Sequence, residues 1–437
     1  MARDHLHVVM LPGPTFGHLI PFFQLSVALA KAGIHVSFVS TPGNIQRLPK
    51  LPPNLATLIN MVEFPLPSLG NDLLPEGAEA TIDVPVEKAD YIKAAYDRLQ
   101  YPISQFIAEQ LPDWIIIDFS GHWAVEIAQN YNIGLVYFSV FSAATAIFFG
   151  HPPDYYFVGE HQKKAWPSPE SMTKPPKWVS FPSSVAYRGY EAIGLHAGVY
   201  AENASGISDA ARFTEVLRAC KALAIRSCRE FEGEYLSLHE KLMGKPVIPV
   251  GLLPQERHGV IGSDSSWKMI FEWLDKQEPK KPFWAIDDAD SLPLGFIDIT
   301  SGKGMVCMSW VPQMEILAHP SIGGSLFHSG WGSAIEMLQF GHCLVVLPFI
   351  YDQPLNARLF VEKGLAVEVE RGEDGSFSRD GIAKAVRLFM VSKEGDKFKA
   401  RVREAAAIFR DENLHQMCYI GHFVEYLKHG MEEGFAC

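Results

Sequence analysis

The sequence predicts an α/β protein built on doubly wound parallel sheets. From Leu6 to Val250, short apolar runs alternate with stretches whose apolar residues recur at helical spacing. From Gly323 onward, a second series of apolar run, small-residue loop and helical stretch repeats the pattern. A chain of 437 residues, 48% hydrophobic and 20% charged, has an ordinary globular composition and the length for two such domains.

The first run, LHVVML from Leu6 to Leu11, opens into the Gly/Pro loop PGPTFGH and then a helix from about Leu19 to Ala32. Gly33 closes that helix and HVSFVS makes the next strand, so the chain opens with a βαβ unit and a parallel sheet. Further strands are expected at Met61 to Phe64, Trp114 to Ile117, Gly134 to Phe138, Ala222 to Arg226 and Pro246 to Val250. Helices are expected near Ala89 to Glu109 and Trp123 to Gln129. Two stretches interrupt the rhythm: Pro65 to Pro85, rich in Pro, Gly and acids, and Gly150 to Pro182, where prolines stand among Tyr, Phe and Trp. Loops of that length are functional lids or plain surface, and an aromatic, proline-stiffened lid suits a flat apolar ligand.

A net charge of −12 argues against a nucleic-acid partner and against attraction to anionic membranes. The six cysteines show no C-x-x-C spacing, so neither a zinc site nor a disulfide framework is expected, and reduced thiols in the cytoplasm are the default. Leu6 to Leu11 is too short to span a membrane or form a signal core. No internal repeat stands out, and nothing marks the oligomeric state.

Two polar residues sit where an α/β sheet does chemistry. His18 lies where the loop after the first strand meets its helix, and Asp118 closes the strand WIIID at the same carboxyl edge. A carboxylate there can accept from imidazole Nδ1–H while Nε2 faces a substrate hydroxyl. Taken alone, a histidine in a loop is more often merely solvated. His5, His7, His122 and His151 lack such a context and read as surface or packing residues.

The most informative stretch is WVPQMEILAHPSIGGSLFHSGWGSAIEMLQFGHCLVVLPFIYDQ, Trp310 to Gln353. A strand from Gly323 to Phe327 runs into His328-Ser329-Gly330-Trp331-Gly332-Ser333 and then a helix carrying Glu336. Small residues let backbone approach an anion, and the following helix N-terminus aims N–H groups at it. A second apolar run, Leu344 to Phe349, ends in Tyr351-Asp352-Gln353 at a strand's carboxyl edge. An aromatic, a phosphate cradle and an acid with an amide together suit a nucleotide sugar.

This segment resembles the donor-binding box of plant family 1 UDP-glycosyltransferases, with W-x-P-Q, H-x-G-W-x-S-x-x-E and D-Q at the family's spacing. The resemblance implies two Rossmann-like domains facing across a cleft, the GT-B fold. It implies that Trp310 stacks on uracil, the Val311 backbone pairs with the base, Gln313 lies near the ribose, and Glu336 holds the ribose hydroxyls. His328 and Ser333, with backbone around Ser329, Gly330 and Gly332, would hold the diphosphate. Trp331, Asp352 and Gln353, the last two following Tyr351, would bind the sugar. Gly332 stands where the family usually has Asn, so an amide donor is missing, while Gln353 leans toward glucose. PTFGHLIPFFQLS and PDWIIIDF resemble the family's histidine loop and aspartate strand, which makes His18 the general base and Asp118 its partner. UDP-sugar is then a co-substrate, a small-molecule hydroxyl compound the acceptor, and no metal or other cofactor is implied. A dinucleotide oxidoreductase does not fit, since PGPTFGH lacks G-x-G-x-x-G and no acid closes HVSFVS.

RSCREFEGEYL, GKPVIPVGLLP and FIYDQPLNARLFVEKGLAVEVE resemble the branch of soyasaponin rhamnosyltransferases and of flavonoid or terpenoid enzymes that add sugar to sugar. The resemblance implies domains at 1–250 for acceptor, 251–282 as linker and 283–415 for the donor, with a helix at 416–437 returning to the first domain. One segment departs from it. After the helical stretch ending near Gln277 comes KPFWAIDDADSLPLGF, in which no first strand, phosphate turn or helix of a nucleotide domain is recognisable. Roughly forty residues, about one βα unit, are missing near Lys280. An exon-skipped or misread gene, a crippled fold, or pairing rearranged to close the gap would each account for it. The first is favoured because the rest of the family pattern is kept. A non-catalytic product able to bind acceptor or a partner is the alternative to an active, inverting hexosyltransferase using UDP-glucose or UDP-rhamnose.

Overall fold

The computed structural model describes residues 6–70, 72–150, 164–255, 265–277, 283–285, 295–301, 304–307 and 311–429. The chain divides into two compact units. The first comprises Met1–Leu253, Ile350–Leu359 and Asp411–Cys437; the second comprises Pro254–Phe349 and Phe360–Arg410.

The first unit is built on seven strands: β1 (His7–Leu11), β2 (His35–Ser40), β3 (Ile59–Glu63), β4 (Trp114–Ile117), β5 (Gly134–Ser139), β6 (Ala222–Ile225) and β7 (Val247–Pro249). All pair in parallel, in the order β3-β2-β1-β4-β5-β6-β7. Every expected apolar run up to Val250 is a strand of this sheet. Helices cover both faces, which is why β5 is buried at each of its residues and reads as a continuous apolar run. The order reverses between β1 and β4, so the loops after these two strands diverge and leave a crevice at their carboxyl ends.

Helix Phe16–Lys31 follows β1 and packs Phe22 against Phe138 of β5, with ring centroids 5.0 Å apart. The helix expected from Ala89 to Glu109 is two helices, Ala89–Asp97 and Gln100–Gln110. Pro102 is the reason. In a continuous helix its ring would meet the Arg98 carbonyl, whereas in the first turn of a new helix its missing N–H costs nothing. The C-terminal helix Gly421–His429 sinks Phe423, Val424 and Leu427 into the same core as Val8, Phe22 and Phe138. Trp114 Nε1–H donates to the Leu427 carbonyl at 2.8 Å, and Gln416 Nε2 donates to Ala28 at 2.9 Å. Each such side chain contributes about 1.5–3 kcal/mol on burial, so this terminal helix is part of the first unit's core.

The second unit holds β8 (Phe283–Ala285), β9 (Met305–Cys307), β10 (Gly324–Phe327), β11 (Cys343–Val346) and β12 (Ala366–Glu368). These form two separate parallel sheets, β8-β9 and β10-β11-β12. One expectation is corrected here. KPFWAIDDADSLPLGF does contain a strand, β8, and helix Phe296–Thr300 begins at its last residue; a three-residue strand beside a run of acids is too short for periodicity to reveal. Among the described residues no ladder joins β8 or β9 to β10.

The lid reading is corrected in part. Residues 151–163 lie outside the described residues, but Trp166 is turned inward, stacked on Phe148 at 4.3 Å and donating Nε1–H to the Phe148 carbonyl. Trp178 Nε1 likewise donates to Ile147 at 3.0 Å. These aromatics serve the core because their indole N–H groups find helix-end carbonyls there. Cys418 is disulfide-bonded, against the expected reduced thiols, while Cys220, Cys228 and Cys307 are free. Among the described residues no helix is long and apolar enough to cross a membrane.

Candidate active site

The crevice between β1 and β4 brings His18 and Asp118 together. Leu11 ends β1, and the turn through Gly13 delivers His18 in the first turn of helix Phe16–Lys31. Asp118 follows β4 directly and opens the turn Phe119–Gly121. His18 Nδ1 lies 2.6 Å from Asp118 Oδ2. The same oxygen accepts from Gly13 N–H at 2.6 Å, and Oδ1 accepts from Ser120 N–H at 2.7 Å. Asp118 is 1% exposed, and burial alone would raise its pKa. The His18 charge and hydrogen bond, with the Gly13 and Ser120 N–H groups, outweigh burial and hold it below its ordinary value. Phe119 and Phe141 meet the imidazole edge-on at 5.7 and 5.8 Å, fixing the ring plane while leaving His18 8% exposed. A carboxylate fixed in its charged form, holding one imidazole nitrogen, leaves the other to act as a base.

Gly13 and Ser120 went unnoticed in the sequence. A Cβ at Gly13 would lie 2.9 Å from Asp118 Oδ2 and 2.8 Å from Ser120 Cβ, so only glycine lets this turn approach the carboxylate. His122 proves to be a packing residue, with Nδ1 3.1 Å from the buried Arg212 guanidinium. His7 Nε2 meets Ser37 Oγ at 2.9 Å, while His5 and His151 lie outside the described residues.

Tyr351, Asp352 and Gln353 belong to the first unit. Tyr351 has φ 53°, a left-handed conformation that a bulky side chain rarely adopts, and its carbonyl accepts from Tyr187 Oη at 2.7 Å. Burial pushes the Asp352 carboxyl up to about 6, while the Asn356 hydrogen bond at 2.7 Å and the nearby His18 charge moderate the rise. Gln353 Oε1 accepts from Ile350 N–H at 3.1 Å. Asn356 was also missed, though its place one helical turn after Asp352 is a readable signal. Behind it, Arg358 donates to both oxygens of Glu191 at 2.8 Å and ties this segment to helix Gly189–Tyr200.

In the second unit, β10 ends at Phe327, and His328-Ser329-Gly330 turns the chain into helix Trp331–Leu338. Ser329 has φ 66°, and no side chain caps the helix, whose first turn carries no acid. Helix geometry leaves first-turn N–H groups, here those of Gly332 and Ser333, without intrahelical acceptors, and the dipole makes that end attractive to anions. Burial holds His328 below its ordinary pKa, favouring the neutral ring. Gln313 Nε2 donates to Glu336 Oε2 at 2.6 Å, joining two residues assigned from sequence to one ribose. The Trp331 side chain is 3% exposed and stacks on Phe360 at 5.9 Å, so it packs the interior. Val311 packs against the Ile270–Leu274 cluster, and Trp310 lies outside the described residues.

Comparison with known proteins bears on these sites. Residues 267–430 match the family described as UDP-glucoronosyl and UDP-glucosyl transferase. The chain is 38% identical over 459 positions to UDP-glycosyltransferase 91C1 of Arabidopsis thaliana, covering 98% of this chain and 97% of that protein. It is 35% identical over 462 positions to soyasaponin III rhamnosyltransferase of Glycine max, covering 97% and 95%. Both alignments are longer than the chain itself, so these relatives carry residues with no counterpart here. Among solved structures, UGT71G1 of Medicago truncatula, complexed with UDP-glucose, superposes with a TM-score of 0.73 at 18% identity, covering 97% of this chain and 98% of that one. That likeness establishes the GT-B fold. The full-length identity to these relatives extends well beyond the donor box, and the chain belongs to the plant family 1 UDP-glycosyltransferases.

Proposed function

We propose that this glycosyltransferase moves glucose or rhamnose from a UDP-sugar to a hydroxyl of a plant secondary metabolite or its glycoside, a flavonoid or a terpenoid, with inversion. The observation that carries the reading is the 2.6 Å His18–Asp118 pair at the crevice between β1 and β4. With Nδ1–H donated to Asp118, Nε2 takes the acceptor's proton. The acceptor oxygen bonds to the anomeric carbon while the bond from that carbon to the phosphate oxygen breaks and UDP leaves. Metal is not called on in this reading. The leaving charge is met by N–H groups at Gly332 and Ser333 and by His328. Glu336, steadied by Gln313, takes the ribose hydroxyls; Val311 backbone and Trp310 take the base. Trp331, its ring packed away, contributes through its backbone. Asp352 and Gln353 take sugar hydroxyls. The missing amide at Gly332 leaves rhamnose open beside the glucose that Gln353 favours, and the soyasaponin relative supports the rhamnose option. The activity of the relatives favours an enzyme over a non-catalytic product, and a cytoplasmic site of action fits the composition.

Two measurements test this. Saturating UDP should raise the unfolding free energy by about 2.7 kcal/mol at a hundredfold excess over Kd, and no shift in melting would remove the donor site. His18→Ala should lower turnover by ~10²- to 10⁴-fold while keeping that UDP shift; equal turnover would remove His18 from the mechanism.

A further inference from the structure

The Asp352 carboxylate does not stand alone. Asn356, one helical turn later, donates Nδ2–H to Asp352 Oδ2 at 2.7 Å, and its own amide orientation is fixed from the far side. Ser142 Oγ and Thr145 Oγ1 both donate to Asn356 Oδ1, at 2.9 and 3.2 Å. With the oxygen held by two hydroxyls, only the NH₂ end can face the carboxylate. All three supporting residues are fully buried. Ser142 caps helix Ala143–Phe149 just beyond β5, and that helix start is itself gripped by the buried Glu232, which accepts from Ala143 and Ala144 N–H at 3.0 and 2.9 Å. The line from Glu232 through the helix cap to Asp352 is therefore made of groups with one allowed arrangement.

We infer that Asn356, clamped by Ser142 and Thr145, is the positioning residue that aims Asp352 at a sugar hydroxyl. The inference rests on the reading of Asp352 as a sugar ligand. Its chemical content is specific. A carboxylate free to rotate would accept from whichever hydroxyl lay nearest, whereas one held by an amide on Oδ2 keeps Oδ1 in a set direction. Asn356 thus acts on recognition of the sugar and leaves the nucleotide untouched.

The test compares parent, Asn356→Leu, Ser142→Ala/Thr145→Val and Asp352→Asn for binding of UDP and of UDP-glucose by calorimetry. The Asp352 carboxyl is also titrated by NMR in the first three. Asn356→Leu should weaken UDP-glucose relative to UDP roughly tenfold, the weight of one hydrogen bond to a charged group, with UDP itself unchanged. It should also move the Asp352 titration above the parent's value of about 6, since the lost N–H favoured the charged form. The hydroxyl variant should move both readouts the same way by less, and serves if the leucine variant does not fold. Asp352→Asn must lower the UDP-glucose preference as well. If it does and the Asn356 and hydroxyl variants leave preference and titration unchanged, the positioning role is overturned. If Asp352→Asn leaves the preference intact, the sugar-ligand reading fails and the inference falls with it.

Discussion

Replacing Asp118 by Asn changes one atom at the centre of the pair and should be costly for a countable reason. Three N–H groups converge on this carboxylate: His18 Nδ1 and Gly13 N, both at 2.6 Å from Oδ2, and Ser120 N at 2.7 Å from Oδ1. Asparagine offers one oxygen. If that oxygen faces Ser120, the amide NH₂ faces His18 and Gly13, the imidazole must carry its proton on Nε2, and the base is lost. If it faces His18, the NH₂ meets Ser120 N–H, and the imidazolium that forms in transfer loses its counter-charge. Either way a buried N–H is left unpaired, which costs about 1–3 kcal/mol of stability. Turnover should fall roughly 10³- to 10⁴-fold, the weight of a wrong tautomer in comparable acid–base pairs. Initial rates at saturating donor and acceptor measure it, with UDP-induced stabilisation as the control for an intact donor site. Turnover within roughly tenfold of the parent, with that stabilisation retained, would refute the relay between Asp118 and His18.

Two further outcomes are expected. Gly13→Ala places a methyl 2.9 Å from Asp118 Oδ2 and 2.8 Å from Ser120 Cβ, and should destabilise by about 1–3 kcal/mol while lowering turnover; a variant that melts and turns over like the parent would mean the turn has slack. Acid should weaken the fold before carboxylates of ordinary pKa titrate. Burial pushes His239 and His342 down to about 4 from an ordinary 6.5, so between those values the unfolded chain binds more protons. Their stabilisation is full above 6.5 and is lost as pH falls toward 4. Asp352, raised to about 6, takes its proton in the native state first and offsets part of that loss. Melting temperature should therefore drop from pH 6.5 to 4.5, and a flat or rising profile would contradict this balance.

The sequence disclosed some features directly and others only by analogy. The seven strands of the first sheet were legible because each is a largely apolar run with Gly, Pro or polar punctuation, and all but the edge strand β3 are buried on both faces. Helix Ala89–Asp97 and its successor merged in the sequence reading because periodicity continues across the break and only Pro102 marks it. Strand β8 was hidden by its brevity. The aromatics from Trp166 to Trp178 looked like a lid because composition does not tell which way an indole points; the Phe148 and Ile147 carbonyls decided it.

By itself, the sequence determined the chemistry that is local in the chain. The turn His328–Ser333 and its helix, the acid and amide at Asp352 and Gln353, and the residues at the ends of β1 and β4 are all fixed by neighbours within a few positions. Tertiary structure alone decided what depends on residues far apart. His18 and Asp118, a hundred residues apart, meet because strand order reverses between β1 and β4. Asn356 meets Ser142, over two hundred residues earlier, because segment Ile350–Leu359 packs within the first unit. The division of the second unit's strands into β8-β9 and β10-β11-β12 has the same origin. A ladder forms between strands that are distant in the chain, so no local pattern states which of them will share a sheet.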